Sequence, residues 1–331
     1  ILDWTHPAPE TLDAIAKLTA SALTAAACAM LYLVVRDWVP EAPAALVVIA
    51  AALSTPFWST ASQSLWGHAT AACGLAMALR TSGRMHLARH AAIAAGLGLA
   101  VAVATRPLLA PFAAGFLVFA RRSPFRAWFV GAMAGFFASV ALWNATLIGH
   151  ALGGATVLES PAVHAQVHLV ESAWTWNFFD GGRAILFSPN RGVVVFMPLA
   201  CWAIAGGVRL WNTSSEARLT LVAPTALYMV GWSAYAVWWG GHSYGPRYAT
   251  EVVLPLTIMV ATALFNGRQP TSTWSRRAAV VALIWGIGVQ GIGAFCYPRG
   301  NWNDLPVDVD TAHARLWDWT DLEIGPIPQA C

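Results

Sequence analysis

Ten apolar runs divide this chain, and they constrain its fold more than any motif does. They cover Leu12–Val35, Ala42–Ser54, Leu65–Leu79, Leu87–Thr105, Leu108–Ala120, Ala127–Ile148, Val193–Val208, Leu219–Val237, Val252–Phe265 and Ala278–Phe295. A soluble domain carries about 25% charged residues. Here only 11% of 331 residues are charged, 57% are hydrophobic and the mean hydropathy is +0.56. So little charge cannot cover a water-facing surface, so the expected fold class is all-α: a polytopic helical membrane protein with about ten transmembrane helices and loops on its outer face.

The number of crossings needs its own argument. Unaided crossing takes ~20 residues, and several runs hold only 13 to 16, a length that also suits re-entrant segments. Arginine placement supplies a check, because cytoplasmic loops collect basic residues. With ten crossings, Arg36–Glu41, Arg80–His90, Arg121–Arg126, Arg209–Arg218 and Asn266–Arg277 share one side and hold twelve arginines. The other side holds six: Arg106, Arg183, Arg191, Arg247, Arg299 and Arg315. Making any single run non-spanning puts later basic loops on the wrong side. Residues 1–297 are therefore expected to form a transmembrane domain, and 298–331 a non-cytoplasmic tail. The outer loop 150–192 has room for an interfacial helix near Pro161–Trp174. The net charge of +3 reflects this asymmetry and does not indicate nucleic-acid binding.

The most chemically loaded stretch is Trp238-Trp239-Gly240-Gly241-His242-Ser243-Tyr244-Gly245-Pro246-Arg247-Tyr248. Its tryptophans suit the membrane interface. Its glycines and proline forbid a helix and permit a tight turn carrying a cation, an imidazole and two phenols. Arginine and histidine at a membrane face suit a phosphate or another anionic headgroup. An ordinary polar loop with an aromatic belt is the competing reading.

Other polar groups fall on the same expected side. Ser54 to His68 is rich in hydroxyls and ends in Trp66, Gly67 and His68. Arg106 stands between two apolar runs beside Pro107, where it either snorkels to headgroups or faces an anion. Asn190 and Arg191 lead directly into a run. The tail joins Trp302, Asn303 and several aspartates, a combination that suits sugar hydroxyls or a simply solvated segment.

Small residues and cysteines read as packing. Gly131 and Gly135 form a GxxxG, and Gly286, Gly288, Gly291 and Gly293 crowd the last run, as in closely packed membrane helices. Cys28, Cys73 and Cys201 lie in apolar runs and read as small core residues. Cys296 and Cys331 pair only if both face an oxidising compartment. No metal-ligand spacing is present, since His86 and His90 lie among arginines, so no metal residue is assigned.

Thr55-Pro56-Phe57-Trp58-Ser59-Thr60-Ala61-Ser62, Leu65-Trp66-Gly67-His68, Arg106-Pro107, Phe187-Ser188-Pro189-Asn190-Arg191-Gly192, Tyr244-Gly245-Pro246-Arg247-Tyr248 and the tail from Tyr297 through Trp319 occur in that order. Together they resemble bacterial members of the GT-C glycosyltransferase superfamily, multispanning enzymes related to protein mannosyltransferases and lipid A aminoarabinose transferases. The resemblance implies a bacterial inner-membrane location and transfer of a sugar from a polyprenyl-phosphate donor at the non-cytoplasmic face. On it, Arg247, Arg191 and Arg106 are expected to hold the donor phosphate, supported by His242, Tyr244, Tyr248, Asn190 and His68. Trp66, Asp180, Trp302 and Asn303 are expected to contact sugar or acceptor. The acceptor and any divalent-metal cofactor stay open.

In that family the acidic catalytic residues occupy the first outer loop. The chain opens at Ile1 without a methionine, near the end of such a loop, and Asp3, Glu10 and Asp13 are not candidate bases. The catalytic acid is thus expected upstream of Ile1 or on a partner subunit. Two alternatives remain: a lipid or small-molecule transporter, which charges buried within spans favour, and a non-catalytic membrane subunit or scaffold.

Overall fold

A computed structural model describes residues 9–153, 174–265, 272–297 and 302–325. Among these the backbone is helical, with one isolated bridge between Trp174 and Tyr235 and no β-strand. The main helices are α1 (Pro9–Val35), α2 (Glu41–Ser54), α3 (Gly67–Ser82), α4 (Arg89–Thr105), α5 (Ala110–Ala120), α6 (Arg126–Ile148), α7 (Phe178–Phe187), α8 (Trp202–Thr213), α9 (Ala223–Ser233), α10 (Val253–Phe265) and α11 (Thr273–Phe295).

Local chemistry accounts for several boundaries. Pro107 disfavours helical backbone at Arg106, which is extended at φ −139° and ends α4. Gly149 closes α6 in the left-handed conformation at φ +79°, its N–H bonding Ala145 O. At the start of α11 the Ser272 side chain accepts from Ser275 N–H. The apolar run 193–208 is broken into a turn at Val193–Phe196, a 3-10 turn at Pro198–Cys201 and α8. Pro198 lacks the N–H that continuous helix needs there.

The helices pack with small residues inside and large apolar ones outside. On α3, Ala69, Ala71, Ala72, Gly74, Ala76 and Ala78 are all buried. Leu46, Ile49, Leu142, Trp143, Ile204, Val281 and Ile284 are exposed. Water would oppose that distribution, whereas lipid tails accept it. Buried hydroxyls turn back onto their own helices: Thr24 bonds Ala20 O, Ser54 bonds Ala50 O, and Thr257 bonds Val253 O. Every such donor is thereby satisfied without water.

Four helical stretches are long and apolar enough to cross a bilayer alone: Pro9–Val35, Arg126–Ile148, Arg247–Phe265 and Thr273–Phe295. The described residues are thus those of a helical membrane protein.

The glycine expectation needs correction. Among the described residues a Cβ on Gly131 or Gly135 would meet nothing within 4 Å, so that GxxxG makes no close helix contact there. Close approach occurs instead between α3 and α4. There a Cβ on Gly74 would lie 2.6 Å from Gly98 O, and one on Gly98 would lie 2.5 Å from Gly74 O. In α11, Gly286 faces Ser54 and Gly293 faces the Tyr244 ring, whereas Gly288 faces open space.

The tail also departs from expectation. Residues 302–325 fold back over helix ends, burying Val309 and Leu316 against Trp239. It is not a solvated segment. Cys28, Cys73 and Cys201 are free thiols, and Cys296 is disulfide-bonded. Pro161, where an interfacial helix is expected, and Cys331 lie outside the described residues.

Candidate functional site

Two polar clusters divide the residues singled out from the sequence. The first gathers Trp66 and His68 at the start of α3, Arg106 after α4, Tyr228 on α9, and Arg247, Tyr248 and Glu251 on the 3-10 turn Arg247–Val252. Gly67 makes the meeting possible, because a Cβ there would lie 2.6 Å from Thr105 Cγ2. The starts of one helix and the end of the next can thus touch, which sets His68 beside Arg106.

Glu251 is the hub of this cluster. It is 1% exposed, and its Oε1 lies 2.8 Å from His68 Nδ1 and 3.2 Å from Arg106 Nε. Tyr228 Oη donates to Tyr248 O at 2.7 Å and also lies 3.3 Å from Glu251 Oε2. A carboxylate without such partners would be very costly at this depth. In the sequence Glu251 borders an apolar run and carries no motif. The missed signal was a lone acid beside the most aromatic and cationic turn in the chain.

Arg247 completes the cluster. Its guanidinium sits 5.2 Å from the centres of both the Trp66 and Tyr248 rings. Gly240, at φ +84°, leaves room for that side chain, since a Cβ there would lie 2.9 Å from Arg247 Cγ. Three nitrogens in the cluster are buried without a hydrogen-bond partner: His68 Nε2, Arg106 Nε and Arg247 Nε. Arg106 Nε is near Glu251 but is not aligned to donate to it. His68, whose Nδ1 faces Glu251, presents Nε2 as an acceptor in its neutral form. With two guanidiniums against one carboxylate, the ensemble carries surplus positive charge, and the Arg106 and Arg247 Nε–H groups are unspent donors. That combination suits an anion.

The second cluster overturns part of the expected phosphate site. Arg191 is fully buried, and its guanidinium is already used within the chain. Nε donates to Trp239 O at 3.1 Å, Nη1 to Asn190 O at 2.7 Å and Glu323 Oε2 at 2.6 Å, and Nη2 to Asn303 Oδ1 at 2.6 Å. Asn190 Nδ2 donates to the carbonyls of Arg315 at 2.8 Å and Asp321 at 3.0 Å, and Asn190 Oδ1 accepts from Glu323 N–H. Ser188 donates to Leu316 O. The Ser-Pro-Asn-Arg turn is therefore the clamp that docks the tail. It does not open as a ligand site.

Tyr244, Trp302 and Asn303 belong to this clamp too. Tyr244 donates to Val289 O at 2.6 Å. Trp302 donates to Asp321 and lies beneath the Arg191 and Arg315 guanidiniums. Asn303 is 2% exposed. These side chains are engaged within the protein, and neither Trp302 nor Asn303 joins the Arg247 cluster. Burial pushes the Glu323 carboxyl up to about 7 against the pull of Arg191. Its Oε2 is shared by Arg191 and Gly245 N–H, whereas its Oε1 has no hydrogen-bond partner. Burial likewise pushes the Tyr297 phenol up to about 12.

Asp180 stands apart from both clusters. It lies in the first turn of α7, exposed, paired with Asn177 and 3.9 Å from Arg183. His242 is drawn toward the tail aspartates, with Nδ1 3.2 Å from Asp304 and Nε2 3.0 Å from Asp308. Of the expected residues, the structure unites Arg106, Arg247, His68, Tyr248 and Trp66, and assigns Arg191, Asn190, Tyr244, Trp302 and Asn303 to the clamp.

No protein-family model, curated protein or solved structure matches this chain.

Proposed function

We propose that this chain is a ten-span bacterial inner-membrane protein of the GT-C glycosyltransferase type. Its outer face would hold the phosphate of a polyprenyl-phosphate sugar donor between Arg106 and Arg247. The ten-span topology rests on the arginine asymmetry of the loops. One observation carries the functional reading: Arg106 and His68 meet at Glu251, Arg247 lies beside Trp66 and Tyr248 in the same cluster, and both arginine Nε atoms are buried without a hydrogen-bond partner. Fixed donors of this kind would stabilise a phosphate as it leaves the sugar. Trp66, 43% exposed and stacked on Arg247, gives the site an edge open to a sugar ring.

Binding tests the donor half directly. The full chain in lipid nanodiscs should retain a polyprenyl phosphate, and Arg247→Ala or Arg106→Ala should weaken retention about tenfold or more. Retention unchanged in both variants would remove the cluster from donor binding. Consumption of a polyprenyl-phosphate sugar, followed by mass spectrometry, then tests transfer.

A transporter reading keeps one specific support. Glu251 is a carboxylate buried in the apolar helical stretch Arg247–Phe265, with His68 fully buried beside it. Intramembrane acids of this kind mark ion and proton pathways. Substrate uptake into vesicles that fails in Glu251→Gln, without any sugar release, would favour that reading over transfer.

A further inference from the structure

A third group of polar side chains lies outside both clusters, where the Trp239–Tyr244 turn meets the tail. Gly240 and Gly241 have φ of +84° and +66°, a backbone that side-chain-bearing residues rarely adopt, and the turn they form delivers His242 to the tail. His242 Nε2 lies 3.0 Å from Asp308 Oδ1 and 3.5 Å from Asp310 Oδ2. The three donor atoms all lie within 4.8 Å of one another. A ring nitrogen carries a single proton, yet this one faces carboxylate oxygens from two residues. Ligands about 2.0–2.1 Å from a tetrahedral ion sit roughly 3.3 Å apart, between the two distances seen here.

We propose that His242, Asp308 and Asp310 form a divalent transition-metal site, with Zn2+ the best-fitting ion and water completing the coordination. An imidazole among the donors favours such an ion over Mg2+ or Ca2+, which prefer all-oxygen sets. Groups around the donors support them as a metal site requires. His242 Nδ1 faces Asp304 Oδ1 at 3.2 Å, which orients the ring so that Nε2 points at the ion. Trp239 Nε1, on a side chain 5% exposed, donates to the far oxygen of Asp310 at 2.6 Å. That contact leaves Asp310 Oδ2 turned toward Asp308 and His242. The ion would staple the turn to the tail at a point separate from the Arg191 clamp. This site is independent of the donor-phosphate reading.

Metal titration of the full chain tests it. Chelator-treated protein in detergent, titrated calorimetrically with ZnCl2, should take up one Zn2+ per chain. His242→Ala and Asp310→Asn should abolish that uptake. Asp304→Asn should weaken it about 10- to 100-fold, as loss of an orienting carboxylate does. Co2+ in the wild-type chain should give ligand-field bands without thiolate charge transfer, and this reading stands even if a variant misfolds. No saturable uptake, uptake unchanged in His242→Ala, or a thiolate band would each overturn the proposal.

Discussion

Glu251 lies 2.8 Å from His68, although 183 positions separate them in the chain. The contact ties the start of α3 to the turn that precedes α10, with Arg106 as the third member. Removing the carboxylate leaves a guanidinium and an imidazole without their counter-charge. Glu251→Ala is expected to destabilise the protein by about 3 kcal/mol, the lower end for breaking a buried pair, because Arg106 retains some solvent. Thermal unfolding in detergent measures this, and an unchanged midpoint would refute it.

Arg247 stacks between Trp66 and Tyr248, and a planar guanidinium does this better than an ammonium. Arg247→Lys is therefore expected to keep the charge yet lose affinity for a polyprenyl phosphate. Trp66→Ala should weaken it by about 1 kcal/mol through the lost cation–π contact. Equal affinity in wild type and Arg247→Lys would show that charge alone matters.

The α3–α4 contact and the outward GxxxG make opposite predictions. Gly74→Val forces a side chain against Gly98 O and should cost about 2 kcal/mol or more. Gly131→Val meets open space and should leave stability within about 0.5 kcal/mol. Comparable losses at the two positions would contradict the helix arrangement.

Arg191 and Glu323 are a fully buried pair 2.6 Å apart. Arg191→Ala removes the donors that hold Glu323, Asn303 and the Trp239 and Asn190 carbonyls and should release the tail, at a cost of about 3 kcal/mol or more. Adding Glu323→Ala should recover part of the loss, because the buried carboxyl left without its partner goes with it. Protease cleavage within 302–325 reports the release, and a double variant as damaged as the single one would count against coupling.

The same pair predicts a pH dependence. Burial raises the folded Glu323 carboxyl from 4.5 to about 7. Its folded form therefore holds a proton more tightly than the unfolded chain does. The stabilising contribution is fully present below about pH 4.5 and is lost as pH rises through about 7. Tail protection from protease should fall over that window in the wild type and stay flatter in Glu323→Gln. Rising protection over the same window would reverse the sign and reject the account.

Five of the expected residues come together in one cluster, and their sequence positions share a sign, an interrupted helix. Arg106 before Pro107, Trp66 and His68 at a run boundary, and Arg247 and Tyr248 after a glycine-rich turn all stand where a helix has to stop. Glu251 was given no part in the site because a charge at the edge of an apolar run looks the same whether it faces headgroups or a guanidinium and an imidazole. Arg191 misled for the converse reason. Its partner Glu323 lies 132 positions away, and no local pattern reports that a guanidinium is already neutralised.

From the sequence alone come the helical membrane class, the helix boundaries set by proline, glycine and serine, and the gathering of polar groups near helix ends. These follow from hydropathy and local backbone preference, which act over a few residues. The tertiary structure decided which arginine stays available, which glycines let helices touch, and whether the tail is solvated or docked. Those outcomes depend on pairings between distant segments, where burial fixes the cost of every unmatched charge and donor.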